Sequence, residues 1–101
     1  MPAPLSGVTD VPTAGTAVQI SNTSRRVLSI VFVAPSGNSG IVYVGNDGAG
    51  DVSATTGIPL SAGQSVSFNF GQFSVSVPIS DFWVDAATNG DDVAWAAEMW
   101  S

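Results

Sequence analysis

The side chains that could perform chemistry in this chain are almost all carboxylates. The 101 residues include eight acids and no histidine or cysteine, and both of the basic residues are arginines. Two nearby carboxylic acids can hydrolyse a glycosidic bond when one of them holds its proton, and Asp81 with Asp85, or Asp91 with Asp92, could supply such a pair. A domain of this length leaves little room for a deep sugar cleft, so we interpret these acids as solvated turn residues.

Nucleophilic catalysis has no support in the composition. An activated serine or threonine normally needs a neighbouring histidine or a lysine of lowered pKa, and the chain contains neither. Without cysteine there is also no disulfide framework and no thiolate metal site. We therefore predict that the protein is not an enzyme and uses no cofactor.

Two further features suggest ligands without defining a site. Residues 46–51 read Asn-Asp-Gly-Ala-Gly-Asp and resemble a fragment of a calcium loop, but they supply only a few of the oxygen ligands that such loops use. We interpret them as an acidic turn. Trp83 or Trp100 could present a flat aromatic face to a sugar ring, whereas Trp95 lies on the apolar face of its strand and is expected in the core or at a subunit interface.

The charge balance excludes some partners and favours others. The net charge is −6, and Arg25 and Arg26 are the cations. Phosphate contacts need several basic residues and anionic membranes repel acidic proteins, so we expect no nucleic acid and no membrane. Charged residues make up 10% of the chain, against about 25% in a typical soluble domain. Such a weakly charged surface favours burial against a partner or another copy of the chain.

The two arginines and the opening residues have two interpretations each. Arg25 and Arg26 either solvate the start of a very apolar strand or anchor the protein to an acidic surface through bidentate contacts. Residues 1–15 contain several prolines and glycines and little periodicity, so we expect an extended arm that takes little part in a β-ladder. The arm is either a disordered terminus or a segment that becomes ordered on a neighbouring subunit.

Two-residue alternation of apolar side chains predicts strands through the rest of the chain. The strands are expected near residues 18–20, 27–33, 41–44, 65–70, 82–86 and 93–99, with a further short pairing near residues 52–56. The apolar run at 27–33 predicts a central strand covered on both faces. The serines at 65 and 67 mark a sheet face that is solvated or kept for a partner. Asn89-Gly90 is a hairpin signal, and the alanines of the last segment would also suit a helix.

Strands of this kind must each hide one face against another layer. We therefore predict an all-β fold: an antiparallel β-sandwich of seven or eight short strands over residues 16–101, preceded by the arm at residues 1–15. Jelly-roll topology is favoured over an immunoglobulin-like arrangement because the usual Cys and Trp pattern of the latter is missing.

Four blocks between residues 15 and 98 share a common character: GTAVQIS at 15–21, GIVYVG at 40–45, TGIPL at 56–60 with Ala62-Gly63, and ISDFWVDA at 79–86. Through these blocks, most of the chain resembles small β-structured virion proteins of tailed bacteriophages. The resemblance implies a capsid decoration or cement protein that sits on the outer surface of the head as a homotrimer and clamps neighbouring major capsid proteins. Related proteins occur at the head–tail junction, the tail and the baseplate, and these locations stay open.

The expected function is therefore a structural virion protein, made in the host cytoplasm and used on the capsid surface. It would bind the major capsid protein or another virion protein and stabilise the shell. The alternatives are a tail, baseplate or head–tail role, or a carbohydrate-binding adhesion module. The candidate partner-binding residues are Pro2, Pro4, Leu5, Pro12, Arg25 and Arg26.

Overall fold

The chain folds into antiparallel β-sheets. A computed structural model describes residues 2–21, 25–45, 56–70 and 76–100, and within these ranges the fold is all-β, as the alternation predicted, with one turn of 3-10 helix at Ile79–Asp81 and no α-helix. The described strands are β1 (Pro2–Val11), β2 (Val18–Gln19), β3 (Arg26–Val33), β4 (Val42–Gly45), β5 (Ile58–Leu60), β6 (Ser65–Asn69), β7 (Val77–Pro78), β8 (Trp83–Ala86) and β9 (Asp91–Trp100).

The strands form two sheets whose pairs are nested along the chain. The first sheet has the order β1-β9-β3-β6, with β7 also paired to β3, and the second has the order β2-β8-β4-β5. Thus β1 pairs with β9, β2 with β8, β3 with β6 and β4 with β5, all antiparallel. The first and last strands of the chain therefore lie side by side over ten residues each.

One hydrophobic core receives side chains from both sheets. Strand alternation places every second residue inward, and the buried positions include Ile30 and Phe32 of β3 and Val42 and Val44 of β4. Phe82, which lies between the 3-10 turn and β8, fills the centre, with its ring centroid 5.4 Å from that of Phe32. The remaining fully buried large side chains are Ile79, Val11, Val27, Val84 and Val93.

The last strand confirms the alternation-based prediction over the helical alternative. β9 is a strand, and Trp95 is 8% exposed in the core. The expectation that β3 would be covered on both faces is wrong, because its burial alternates and Val31 and Val33 are only half-buried. An apolar run therefore lies in a sheet with a partly open outer face.

The hairpin expected at Asn89-Gly90 also differs from the structure. Asn89-Gly90 does not join paired strands: β8 belongs to the second sheet and β9 to the first, so the turn carries the chain between sheets. Gly90 has a φ of 83°, a left-handed backbone conformation that glycine adopts without steric cost.

The prediction for the start of the chain is wrong. Residues 2–11, expected to take little part in a ladder, form β1 and pair with β9 along their whole length. The pairing expected near residues 52–56 falls, except for Thr56, outside the described residues.

Candidate interaction surfaces

The outer face of the first sheet carries two rows of small, uncharged side chains. The rows cross all four strands in register, and we call them together the small-residue face: Ser6, Ala96, Val31 and Ser67 in one row, and Val8, Ala94, Val33 and Ser65 in the other. Val8 is 66% exposed, the highest value among the exposed large hydrophobic side chains. Because these side chains are small, they project only a short distance from the sheet, so another backbone or sheet can approach it closely.

Acidic residues border the small-residue face at both ends. Asp10 and Asp92 lie opposite each other at one end, and Glu98 lies beyond the Ser6 row at the other. An open depression between β1 and β9 is lined by Leu5, Ser6, Ala96 and Ala97. The serines of β6 signalled this surface in the sequence, whereas the contributions of β1, β3 and β9 depended on strand order, which no local pattern encodes.

Three of the sequence-predicted partner-binding residues lie at one end of the first sheet. Pro2 is opposite Trp100, and Trp100 is opposite Arg26, so these residues occupy one row across β1, β9 and β3. Pro4 follows two positions later on the same strand. The structure therefore brings Pro2, Pro4 and Arg26 to the same end of the sheet.

Arg26 is engaged within its own chain. Its Nε donates to the hydroxyl of Ser76 at 2.7 Å, and its Nη2 donates to the carbonyl of Ser76 at 2.6 Å. The carbonyl of Arg25 accepts a hydrogen bond from the backbone N–H of Ile79 at 2.8 Å. Both arginine side chains are exposed, and Arg26 holds the chain entering β7 against β3.

Leu5 and Pro12, also predicted as contact residues, lie apart from this row. Leu5 is 37% exposed and borders the depression between β1 and β9. Pro12 is exposed and follows β1 directly. Because a strand rises about 3.4 Å per residue, Pro12 lies about 34 Å from Pro2, so the six candidates do not form one site.

An aromatic pair occupies the outer face of the second sheet. Val84 and Val44 are buried, so their neighbours Trp83 and Tyr43 lie on the opposite, outward side, and both are half-buried. Trp83 is in register with Gly45, which places Tyr43 diagonally across from it. The other tryptophan considered for sugar stacking, Trp100, ends β9, and its side chain lies outside the described part of the structure.

Two buried carboxylates hold loops to the strands. Asp91 is 5% exposed and accepts the backbone N–H groups of Ser39 at 2.9 Å and Gly40 at 2.8 Å. Asp85 is 3% exposed and accepts the backbone N–H groups of Gly15 at 3.0 Å and of Ala86 at 2.8 Å. Each carboxylate replaces water as the partner of backbone donors, so these acids shape the loops and do not face a common cleft.

The neighbouring acid, Asp92, points to the other side of β9. Its pKa is raised above the ordinary value of 3.8, first because burial desolvates the charged form, then because of the hydrogen bond and the charge of Asp10, with a contribution from Asp91. The adjacent acids Asp91 and Asp92 therefore belong to opposite faces of the strand.

The described ranges contain neither a cluster of side chains that could hold a metal ion nor a helix that could span a membrane. Among these residues, no group of three or more His, Cys, Asp or Glu side chains is placed to hold a metal ion. The acidic stretch at residues 46–51 lies outside the described residues. Within the same ranges, no helix has the length and apolar character needed to cross a bilayer.

Comparison with protein-family models, with curated proteins and with solved structures finds no match. The resemblance to phage virion proteins therefore stays a prediction from the sequence blocks that carry it.

Proposed function

We propose that this chain is a non-enzymatic structural protein of a bacteriophage particle, acting as a capsid decoration or cement protein on the head. The observation that carries the proposal is the small-residue face, whose eight side chains span four strands without a charge. A surface of this kind loses little by being desolvated, since it has no ion to strip of water. It suits a broad contact with another protein surface.

The nested strand pairing supports a jelly-roll sandwich as the finer description of the fold. With β6 and β7 counted as one strand beside β3, the eight strands pair first with last, second with seventh, third with sixth and fourth with fifth. Jelly rolls recur in viral capsid and lectin domains. The fold is therefore compatible with a virion role, although a fold by itself does not determine function.

Repetition explains how a weak contact could reinforce a shell. A decoration protein occupies many equivalent sites, and linked contacts raise the overall avidity well beyond that of each one. We propose the major capsid protein or another virion protein as the partner, a homo-oligomer as the active form and the capsid surface as the location, after synthesis in the host cytoplasm. The three copies expected above rest on the resemblance alone.

Co-sedimentation with empty phage heads tests this proposal. The wild-type chain is expected to sediment with the heads, and Ala96→Lys, which puts a charge in the middle of the small-residue face, is expected to weaken binding at least tenfold. Ala62→Lys is the matched control, because Ala62 is exposed in the turn before β6. Failure of the wild type to bind heads would contradict the decoration role and favour a tail, baseplate or head–tail location.

A second candidate function is carbohydrate binding, favoured by the outward pair of Trp83 and Tyr43. The faces of aromatic rings can stack on sugar rings. Gly45, which lies opposite Trp83, has no side chain to cover the neighbouring part of the sheet. Binding to a glycan array that is lost in Trp83→Ala and retained in Trp95→Phe would support an adhesion module. No response from the wild type would remove this candidate.

A further inference from the structure

The first strand has a free edge with a defined hydrogen-bonding pattern. β1 is the outermost strand of its sheet, and no described strand pairs with its other side. Pro4 pairs with Glu98 but has no N–H, so this pair cannot exchange two hydrogen bonds. The backbone groups of the odd-numbered residues of β1 must therefore form the hydrogen bonds to β9. The N–H and C=O groups of the even-numbered residues point away from the sheet.

Two prolines bracket the part of this edge that can donate. Pro4 and Pro12 lack N–H groups, and between them the outward donors are those of Ser6, Val8 and Asp10. All three side chains are exposed. Val8 lies midway between the two prolines, so the segment is symmetric in its hydrogen-bonding capacity about this residue.

We propose that two copies of this chain join through their β1 edges, antiparallel and related by a two-fold axis at Val8. Val8 then lies opposite Val8 of the second copy, Ser6 lies opposite Asp10 of the second copy, and Pro4 lies opposite Pro12 of the second copy. In this register every outward N–H between the prolines faces a carbonyl, and the prolines, which have no N–H to donate, face each other at the two ends of the ladder. The two first sheets become one continuous sheet.

The charges fit this register. Asp10 meets the hydroxyl of Ser6, which can donate to a carboxylate. The two Asp10 side chains are four residues apart along the paired strands, or about 14 Å, which exceeds the Debye length of about 8 Å at physiological ionic strength. On each copy the Asp10 and Asp92 pair and the Arg26 row lie at opposite ends of the sheet, so antiparallel pairing opposes the two charge gradients.

The native mass of the chain and one proline substitution test whether two copies pair through their β1 edges. The wild-type chain is expected at twice its 10.2 kDa in the micromolar range. Val8→Pro removes an outward N–H and leaves the bonds to β9 intact, as Pro4 does, so it is expected to give a folded monomer with an unchanged circular dichroism spectrum. Val8→Thr is the matched control: it preserves shape and N–H, and it should remain a dimer.

Cysteine substitutions test the register without depending on the proline variant. The chain has no cysteine of its own, so a single new one reports a single contact. Opposed residues of a hydrogen-bonded pair have Cα atoms about 5.5 Å apart, within disulfide range, so Val8→Cys is expected to cross-link two copies under mild oxidation. Ser6→Cys would be about 14 Å from its equivalent and should not cross-link.

Several results would overturn the inference. They are a wild-type monomer or trimer, a dimer that survives Val8→Pro, dissociation by Val8→Thr, or cross-linking by Ser6→Cys in place of Val8→Cys. A two-fold edge contact gives even numbers of copies, in place of the three that the phage resemblance implies. The inference stands independently of the virion proposal, because the dimer is measured without capsids and Ala96→Lys should leave it intact.

Discussion

Gly7 and Trp95 pack closely against each other. They are register partners on β1 and β9, and the indole N–H of Trp95 donates to the hydroxyl of Thr9 at 3.3 Å. A Cβ atom at Gly7 would lie 2.8 Å from Cζ2 of the indole. The glycine is therefore required by the close approach of an aromatic ring, which the sequence alone did not reveal.

Gly7→Ala is expected to lower the free energy of unfolding by about 1–3 kcal/mol, because overpacking forces the indole or the strand to move. Chemical denaturation measures the change. Gly37→Ala is the control, since no atom lies within 4 Å of a Cβ built there, and it should leave stability equal or slightly higher. Equal effects of the two substitutions would contradict the packing argument.

Asp10 and Asp92 place two like charges opposite each other on paired strands. They are directly opposed on the outer face, and the raised pKa of Asp92 reflects desolvation first and Asp10 second. Since the folded pKa lies above the ordinary 3.8, the folded state binds the proton more tightly. The resulting stabilisation is fully present below pH 3.8 and is lost as the pH rises through the folded pKa.

Asp10→Asn is therefore expected to raise stability at neutral pH by about 0.2–1 kcal/mol, the usual scale of a cross-strand pair. It should also reduce the loss of stability as the pH rises from below 3.8 to neutral. Denaturation at a series of pH values measures both effects. Glu98→Gln is the control, because its register neighbours are Pro4 and Ser29, and an identical response in this variant would refute the pairing argument.

At the scale of elements, β1 is the strand for which the sequence-based prediction and the observed structure differ most. Its prolines suggested an arm outside any ladder. On an edge strand, however, a proline whose nitrogen faces away from the sheet removes no ladder bond. Val11, the last residue of β1, is fully buried in the core, so the strand contributes packing as well as backbone pairing.

Deletion of residues 1–11 is expected to lower the free energy of unfolding by at least about 2 kcal/mol, the contribution of burying one side chain of the size of Val11. The deletion also exposes the edge of β9, which favours aggregation. Thermal and chemical denaturation of the shortened chain measure the loss. Stability equal to that of the full chain would indicate an independent arm.

At the scale of the whole molecule, charge is separated along the first sheet. Asp10, Asp91 and Asp92 lie at one end and Arg26 lies at the other, about 30 Å away along β9, with Glu98 two positions from the Arg26 row. The small-residue face lies between them. If the small-residue face is the contact surface proposed above, its charged ends would set the orientation of a partner, because complementary charge affects specificity and association rate more than affinity.

The sequence by itself determined the class of fold and most of the inward positions. Period-two alternation in segments such as Ser65–Asn69 requires a strand with one buried face, and this rule is local, so it could be applied without a structure. The same rule placed Trp95 in the core. The composition also predicted a weakly charged surface, because few charged residues were available to cover it.

Tertiary structure decided which strands are neighbours, and with them the candidate surfaces. The small-residue face joins Val8, Ala94, Val33 and Ser65, which are far apart in the chain and meet only through the order β1-β9-β3-β6. Likewise, Pro2 and Arg26 share a row only because β9 lies between their strands. Long-range pairing depends on the combined packing of both sheets, and no local pattern of residues contains that information.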